Sequence, residues 1–152
     1  MRNWQRVVCA LVLSLGATAW ASKGWETDFD KASGLAKSEG KFMLVDFSGS
    51  DWCGWCIKLD KEVFSQSAFK DYARENLVTV LIDFPRESRQ KKKEIKRNEE
   101  LKNKYEIKGF PTVLILSPEG ELAGRTGYKA GGPDAYIEHL KKIIEEYKAK
   151  QK

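Results

Sequence analysis

Phe42-Met43-Leu44-Val45-Asp46-Phe47-Ser48-Gly49-Ser50-Asp51-Trp52-Cys53-Gly54-Trp55-Cys56 is the stretch that decides how this chain folds. From Phe42 to Phe47 it is short and apolar at odd and even positions alike, broken only by Asp46. That pattern predicts a central strand buried on both faces. Ser48 to Asp51 is a polar loop with several side chains able to cap a helix. A helix is expected from about Cys53 to Glu62, with Ile57, Leu59 and Val63 on its buried side.

Residues three apart share a face of a helix, so the sulfurs of Cys53 and Cys56 can meet. The attacking species in disulfide exchange is the thiolate. A cysteine in a helix's first turn has unpaired backbone N–H groups and the positive end of the helix dipole beside it, and both favour a negative sulfur. Cys53 is placed to attack a disulfide and Cys56, one turn deeper, to resolve the mixed disulfide and leave an internal bond. The alternatives are half of a structural zinc site or an accidental pair. A zinc site needs two further Cys or His ligands, and beyond residue 21 the chain offers only His139. That histidine, among Glu138, Lys141 and Lys142, reads as a solvated surface residue.

Three neighbours of the pair stand out. Asp46 sits in an apolar strand, where a carboxylate is costly unless paired or protonated. It reads either as a proton handler with a raised pKa or as a side chain that reaches solvent at the strand's end. Trp52 and Trp55 bracket the cysteines. They form an apolar rim for a partner chain, or one of them packs over the sheet edge, with Trp55 expected to be the exposed one. Pro111 precedes a predicted strand and restricts Phe110 to an extended shape; composition cannot assign its peptide isomer.

Outward from the pair, helical spacing of Phe29, Ala32, Leu35 and Ala36 predicts a helix over Asp28 to Glu39, stopped by Gly40. Ser65 or Ser67 is expected to cap a helix running to Glu75. A strand follows from Leu77 to Phe84, stopped by Pro85. Between 86 and 104 there are nine Lys or Arg against four Glu, which reads as a loop entering a solvated helix. Without interleaved aromatics this stretch is no nucleic-acid site; it can steer an acidic partner. Val113 to Leu116 and Glu121 to Thr126 are expected as antiparallel strands around the turn Ser117-Pro118-Glu119-Gly120. A final helix enters through Pro133, with the charged tail after Tyr147 frayed. Helices alternating with strands imply an α/β fold, a mixed sheet with helices on both faces.

The chain has 152 residues, 41% hydrophobic and 32% charged, the profile of one soluble domain. Residues 1–21 differ: Arg2 and Arg6, an uncharged apolar run from Val7 to Ala19, then Ala19-Trp20-Ala21, the layout of a signal peptide. An uncleaved anchor or a buried N-terminal helix is the other reading. Cleavage gives a domain of residues 22–152, removes Cys9, lowers the formal charge from +5 to +3 and leaves Cys53 and Cys56 as the two cysteines. Export permits a disulfide, but so short a loop is a weak staple, which favours a functional pair in a periplasmic or secreted protein.

The Val45-Asp46-Phe47 strand, Trp52-Cys53-Gly54-Trp55-Cys56 and Gly109-Phe110-Pro111-Thr112, in that order, resemble the thioredoxin superfamily, in particular exported bacterial thioredoxin-like proteins. The resemblance covers roughly residues 25 to 148. It implies a thioredoxin-like fold, with Cys53 as nucleophile, Cys56 as resolving cysteine and Asp46 as the buried carboxylate that helps move the Cys56 proton. It implies that Pro111 is a cis-proline facing the pair and leaves the backbone around Phe110 free to bind substrate as an added strand. Trp52 is then the tryptophan before the nucleophile, and Gly54 keeps the turn between the sulfurs open. Thioredoxin has Pro where this chain has Trp55, and the residues between the cysteines tune the reduction potential. The implied activity is reduction of protein disulfides by a monomer without cofactor or metal, recharged by a membrane electron donor. An oxidase or isomerase, and a binding or chaperone module with incidental cysteines, are the alternatives.

Overall fold

In the computed structural model, residues 24–87 and 90–152 are described; the expected signal peptide, Cys9 and Arg89 lie outside them. The elements run α1 Phe29–Glu39, β1 Phe42–Ser48, α2 Gly54–Leu59, a π-helical turn Asp60–Phe64, α3 Ser67–Asn76, β2 Leu77–Asp83, α4 Lys92–Lys104, β3 Thr112–Leu116, β4 Leu122–Thr126 and α5 Gly132–Lys150. Four strands form one sheet in the order β2-β1-β3-β4. β1 pairs with β2 in parallel, with Asp46 opposite Leu81, and with β3 antiparallel, with Asp46 opposite Val113. β3 and β4 pair antiparallel.

Every residue of β1 is buried, as a strand covered on both faces requires. Because side chains alternate along a strand, β1 divides between two cores. Phe42 and Leu44 pack with Leu59, Val63, Phe69, Tyr136 and Leu140 under α2, α3 and α5. Met43, Val45 and Phe47 pack with Phe29, Ala32, Val80, Ile82 and Leu101 under α1 and α4. Asp46 shares the parity of Phe42 and Leu44 and so points to the α2 side.

Local chemistry sets the element ends. Asp28 caps α1, its carboxylate accepting from the N–H groups of Asp30 and Lys31 at 3.0 and 3.1 Å. Gly40 ends the helix at φ 63°, a left-handed conformation natural to glycine. Three expectations need correction. The helix expected to stay regular to Glu62 widens into a π turn at Asp60. Neither Ser65 nor Ser67 caps α3; its N-cap is Gln66 without a side-chain bond, because Ser65 donates to Asp60 instead. The tail past Tyr147 stays helical to Lys150, supported by Lys148–Glu145 and Lys142–Glu146 ion pairs. Trp25 and Glu26, which carry no strand pattern, bring a backbone bridge to β2: Glu26 pairs with Val80.

Candidate active site

Cys53 and Cys56 form a disulfide with their Cα atoms 5.2 Å apart. Cys53 is the N-cap of α2, in extended conformation, rather than a first-turn residue. Its sulfur accepts a hydrogen bond from the Cys56 N–H at 3.3 Å. One of the helix's orphan donors thus points at the sulfur, the arrangement that favours negative charge there. Both cysteines are nearly covered in this oxidised state, at 7% and 4% exposure. Gly54 is exposed, with open space where a Cβ would stand.

The loop before the pair is fastened to the exit of β2. Ser50 donates from its N–H and its hydroxyl to the two carboxylate oxygens of Asp83, at 2.9 and 2.6 Å. The Asp51 carboxylate accepts from the backbone N–H groups of Arg86 and Glu87. The Gly49 carbonyl accepts from the N–H of Cys53 at 2.8 Å. Glycine is required at 49 by contact: a Cβ there would lie 2.5–2.7 Å from the indole of Trp52.

The two tryptophans part company. Trp52 is half-buried; its indole N–H donates to the Phe84 carbonyl at 2.7 Å. The Arg86 guanidinium lies 4.0 Å from its ring centroid, and Phe110 meets it edge-on at 5.9 Å. Trp52 is thus the one packed over the sheet edge. Trp55 is 56% exposed. It leans on Tyr128 at 5.1 Å between centroids, with the Lys58 ammonium 5.1 Å from each ring. Tyr128 donates to Glu62 at 2.6 Å, which raises its pKa.

The Phe110–Pro111 peptide is cis. Pro111 directly precedes β3, and its carbonyl lies 3.1 Å from where a Cβ on Gly127 would stand, so the two backbones pass closely. Contact between Phe110 and Trp52 joins this segment to the cysteine loop.

Asp46 does not reach solvent. It is 6% exposed, and its Oδ1 has no hydrogen-bond partner. Desolvation, reinforced by the negative charges of Asp60 and Asp83, pushes its pKa up to about 8. Asp46 lines a cavity of about 400 Å³ with Cys56, Asp60, Asp51, Ser48 and Trp25. A buried carboxyl that protonates near neutrality, beside a cysteine, can take up and release a proton.

Sequence reading missed Asp60, Tyr128, Asp83 and Trp25. For Asp60 a signal existed: it follows Cys56 by four residues, one helical turn. Tyr128 carries no local signal, being brought in by tertiary folding. His139, read as solvated, is half-buried, and its Nε2 lies 2.9 Å from the Thr126 hydroxyl. Among the described residues, no three His, Cys, Asp or Glu side chains gather to hold a metal ion.

Comparison with known proteins bears on both fold and chemistry. A family described as "Thioredoxin-like domain" matches residues 29–144. A Chlamydia pneumoniae protein named "Disulfide bond reductase DsbH" is 35% identical over 126 residues, covering 83% of this chain and 75% of the relative. A second from that organism, "Thioredoxin-related protein DsbJ", is 31% identical over 120 residues, but this chain spans only 34% of its length. The solved structure of "DsbH Oxidoreductase" superposes with a TM-score of 0.76 at 31% identity, covering 86% of this chain and 93% of that one. With a mixed sheet clothed by helices on both faces and a Cys-x-x-Cys disulfide at the head of α2, the chain belongs to the thioredoxin-like family, as an enzyme of thiol–disulfide exchange.

Proposed function

We propose that this protein reduces disulfides in other proteins outside the cytoplasm. Cys53 is the nucleophile: its thiolate attacks a substrate disulfide, releases one substrate thiolate and remains joined to the other. Asp46 accepts the Cys56 proton, and the Cys56 thiolate attacks Cys53. The internal disulfide forms and the second substrate thiolate leaves, so that two electrons pass from the dithiol to the substrate. Pro111 and the backbone at Phe110 hold the substrate strand beside the sulfurs. Trp55 supplies the apolar rim, Trp52 braces the loop beside it, and Gly54 leaves the approach open.

The observation that supports the reducing direction is the cluster of carboxyl groups behind Cys56. Asp46, Asp51 and Asp60 line the same cavity as Cys56. Carboxylates there oppose thiolate formation, and the less the reduced thiolate is stabilised, the weaker the oxidant and the better the reductant. The relative named a disulfide bond reductase agrees with this direction. The reading includes removal of residues 1–21 on export and recharging by a membrane electron donor.

Two measurements test it. The reduction potential of the Cys53–Cys56 couple is expected near the thioredoxin scale, about −270 mV; a value near −120 mV would make the protein an oxidant and reverse the assignment. With Cys56→Ser, mixed disulfides should accumulate on Cys53 in the exported compartment. Client binding that survives in the Cys53→Ser, Cys56→Ser double variant, with no exchange by the parent, would select the chaperone reading instead.

A further inference from the structure

Asp46 is sealed. Its carboxyl is buried, one oxygen has no partner, and the strands on both sides of it are backbone-paired. A base that takes a proton in every turnover must also lose it. The residues that face it are Cys56 from α2, Asp60 from the π turn, Asp83 at the end of β2 and Tyr136 from α5. Three of these are poor exits. Cys56 is the proton's source. The Asp83 carboxylate is occupied by Ser50. The Tyr136 hydroxyl is engaged with the Gly127 carbonyl, and burial holds its pKa far above the working range.

Asp60 differs. It lines the same cavity as Asp46 and Cys56, is only half-buried, and stands where α2 widens into the π turn. π turns inside helices are frequent at functional sites, and this one redirects the chain one turn past Cys56. One Asp60 oxygen accepts from the Ser65 hydroxyl at 2.9 Å, which fixes the carboxylate at the cavity wall. The cavity, about 400 Å³ with Ser48, Ser50 and Asp51 also on its wall, has polar partners and room for bridging waters, each needing about 30 Å³.

Resting on the assignment of Asp46 as the base for Cys56, we propose that Asp60 is a positioning residue that relays the Asp46 proton through cavity water to solvent. In the resolving step the proton passes from the Cys56 thiol to Asp46, and the Cys56–Cys53 bond forms as the Cys53–substrate bond breaks. The electron pair leaves on the substrate sulfur, which is protonated by solvent. Asp46 then returns its proton by way of water and Asp60, and both carboxylates end as they began.

The test is single-turnover reduction of a protein disulfide by the reduced enzyme, followed as release of the second substrate thiol between pH 5 and 10. Because Asp46 must be ionised to act, the wild-type rate rises with pH. Asp60→Asn removes a negative charge that disfavours Asp46 ionisation, so the midpoint should fall by about half a pH unit or more. Loss of the relay, which acts after that thiol has left, should lower steady-state turnover at excess substrate by roughly threefold to tenfold. Asp60→Glu should restore the wild-type profile. Ser65→Ala, which removes the hydrogen bond to Asp60 without removing charge, should leave the midpoint in place and shows what a merely structural change does. In an Asp46→Asn background, Asp60→Asn should have no further effect on the profile. If Asp60→Asn superposes on wild type while Asp46→Asn does not, the relay is wrong and the base assignment stands. If Asp46→Asn itself leaves the profile unchanged, both are wrong.

Discussion

The two faces of β1 are built from one buried strand and do opposite things. On one, Met43, Val45 and Phe47 pack into an apolar cluster under α1 and α4. On the other, Phe42 and Leu44 continue the apolar pattern, but Asp46 interrupts it and faces a cavity behind the disulfide. The strand's pleat gives each side chain its face, so a stabilising surface and a reactive one are set 180° apart along the same backbone. Both faces anchor a core. The second gives up part of its possible burial energy to keep a carboxyl beside Cys56.

Breaking the apolar face should have the largest effect on stability. Phe47 is fully buried there, and Phe47→Ala should cost about 3–5 kcal/mol in urea unfolding. The Cys53 alkylation rate of the molecules that remain folded should be nearly unchanged. A loss confined to activity, with stability intact, would show that the faces are not separable in this way.

The open face should answer in the other direction. The Asp46 pKa is raised from 3.8 to about 8 in the fold. Between those values the folded protein holds a proton that the unfolded chain has lost, so stability falls as pH rises through that window and levels off above it. Asp46→Asn removes the decline. The variant should match wild type near pH 4 and exceed it by on the order of a few kcal/mol at pH 9, while its thiol–disulfide exchange slows. Parallel stability curves for the two proteins across pH 4–9 would mean that Asp46 is not a buried acid.

Much of this arrangement is legible along the chain because it is local. The apolar run of β1 with one charge in it, the cysteine spacing and the turn at Ser117-Pro118-Glu119-Gly120 are each written within a few residues. The alternation that points Asp46 toward α2 follows from strand parity alone. What is not legible is what folding brings from afar. The burial of Asp46 depends on α2 and α5 closing over it. The fates of Trp52 and Trp55 depend on Phe84, Arg86 and Tyr128, about 30 and 70 residues away, and nothing in the Trp-Cys-Gly-Trp-Cys string encodes them. The π turn at Asp60 defeats a periodicity argument, since the apolar residues on either side of it fit an ordinary helix as well.

The tryptophans sharpen the comparison at smaller amplitude. Trp52 donates to Phe84 and packs against Phe110 and Arg86, so Trp52→Ala should cost about 1–3 kcal/mol through lost packing and an unpaired carbonyl. Trp55 is exposed on its Tyr128 support. Trp55→Ala should change stability by less than about 0.5 kcal/mol and raise KM for protein disulfides more than for a small-molecule disulfide. Equal stability losses would erase the distinction between a structural and a presenting indole.

The smallest expected effect tests whether the reactive loop is held by the sheet or merely rests on it. Ser50 gives two hydrogen bonds to Asp83 at the end of β2, one from its backbone and one from its hydroxyl. Ser50→Ala removes only the second, and because the pair is exposed the cost should be about 1 kcal/mol, a few degrees in Tm. The backbone bond keeps the loop in register, so the Cys53 position and the exchange rate should change little. Asp83→Ala removes both bonds and loosens the clamp, leaving the ties from Asp51 to Arg86 and Glu87 and from Trp52 to Phe84. Amide hydrogen exchange from Gly49 to Cys53 should then quicken while exchange in β1 stays slow, because the strand is held by β2 and β3 and not by the loop it leads into.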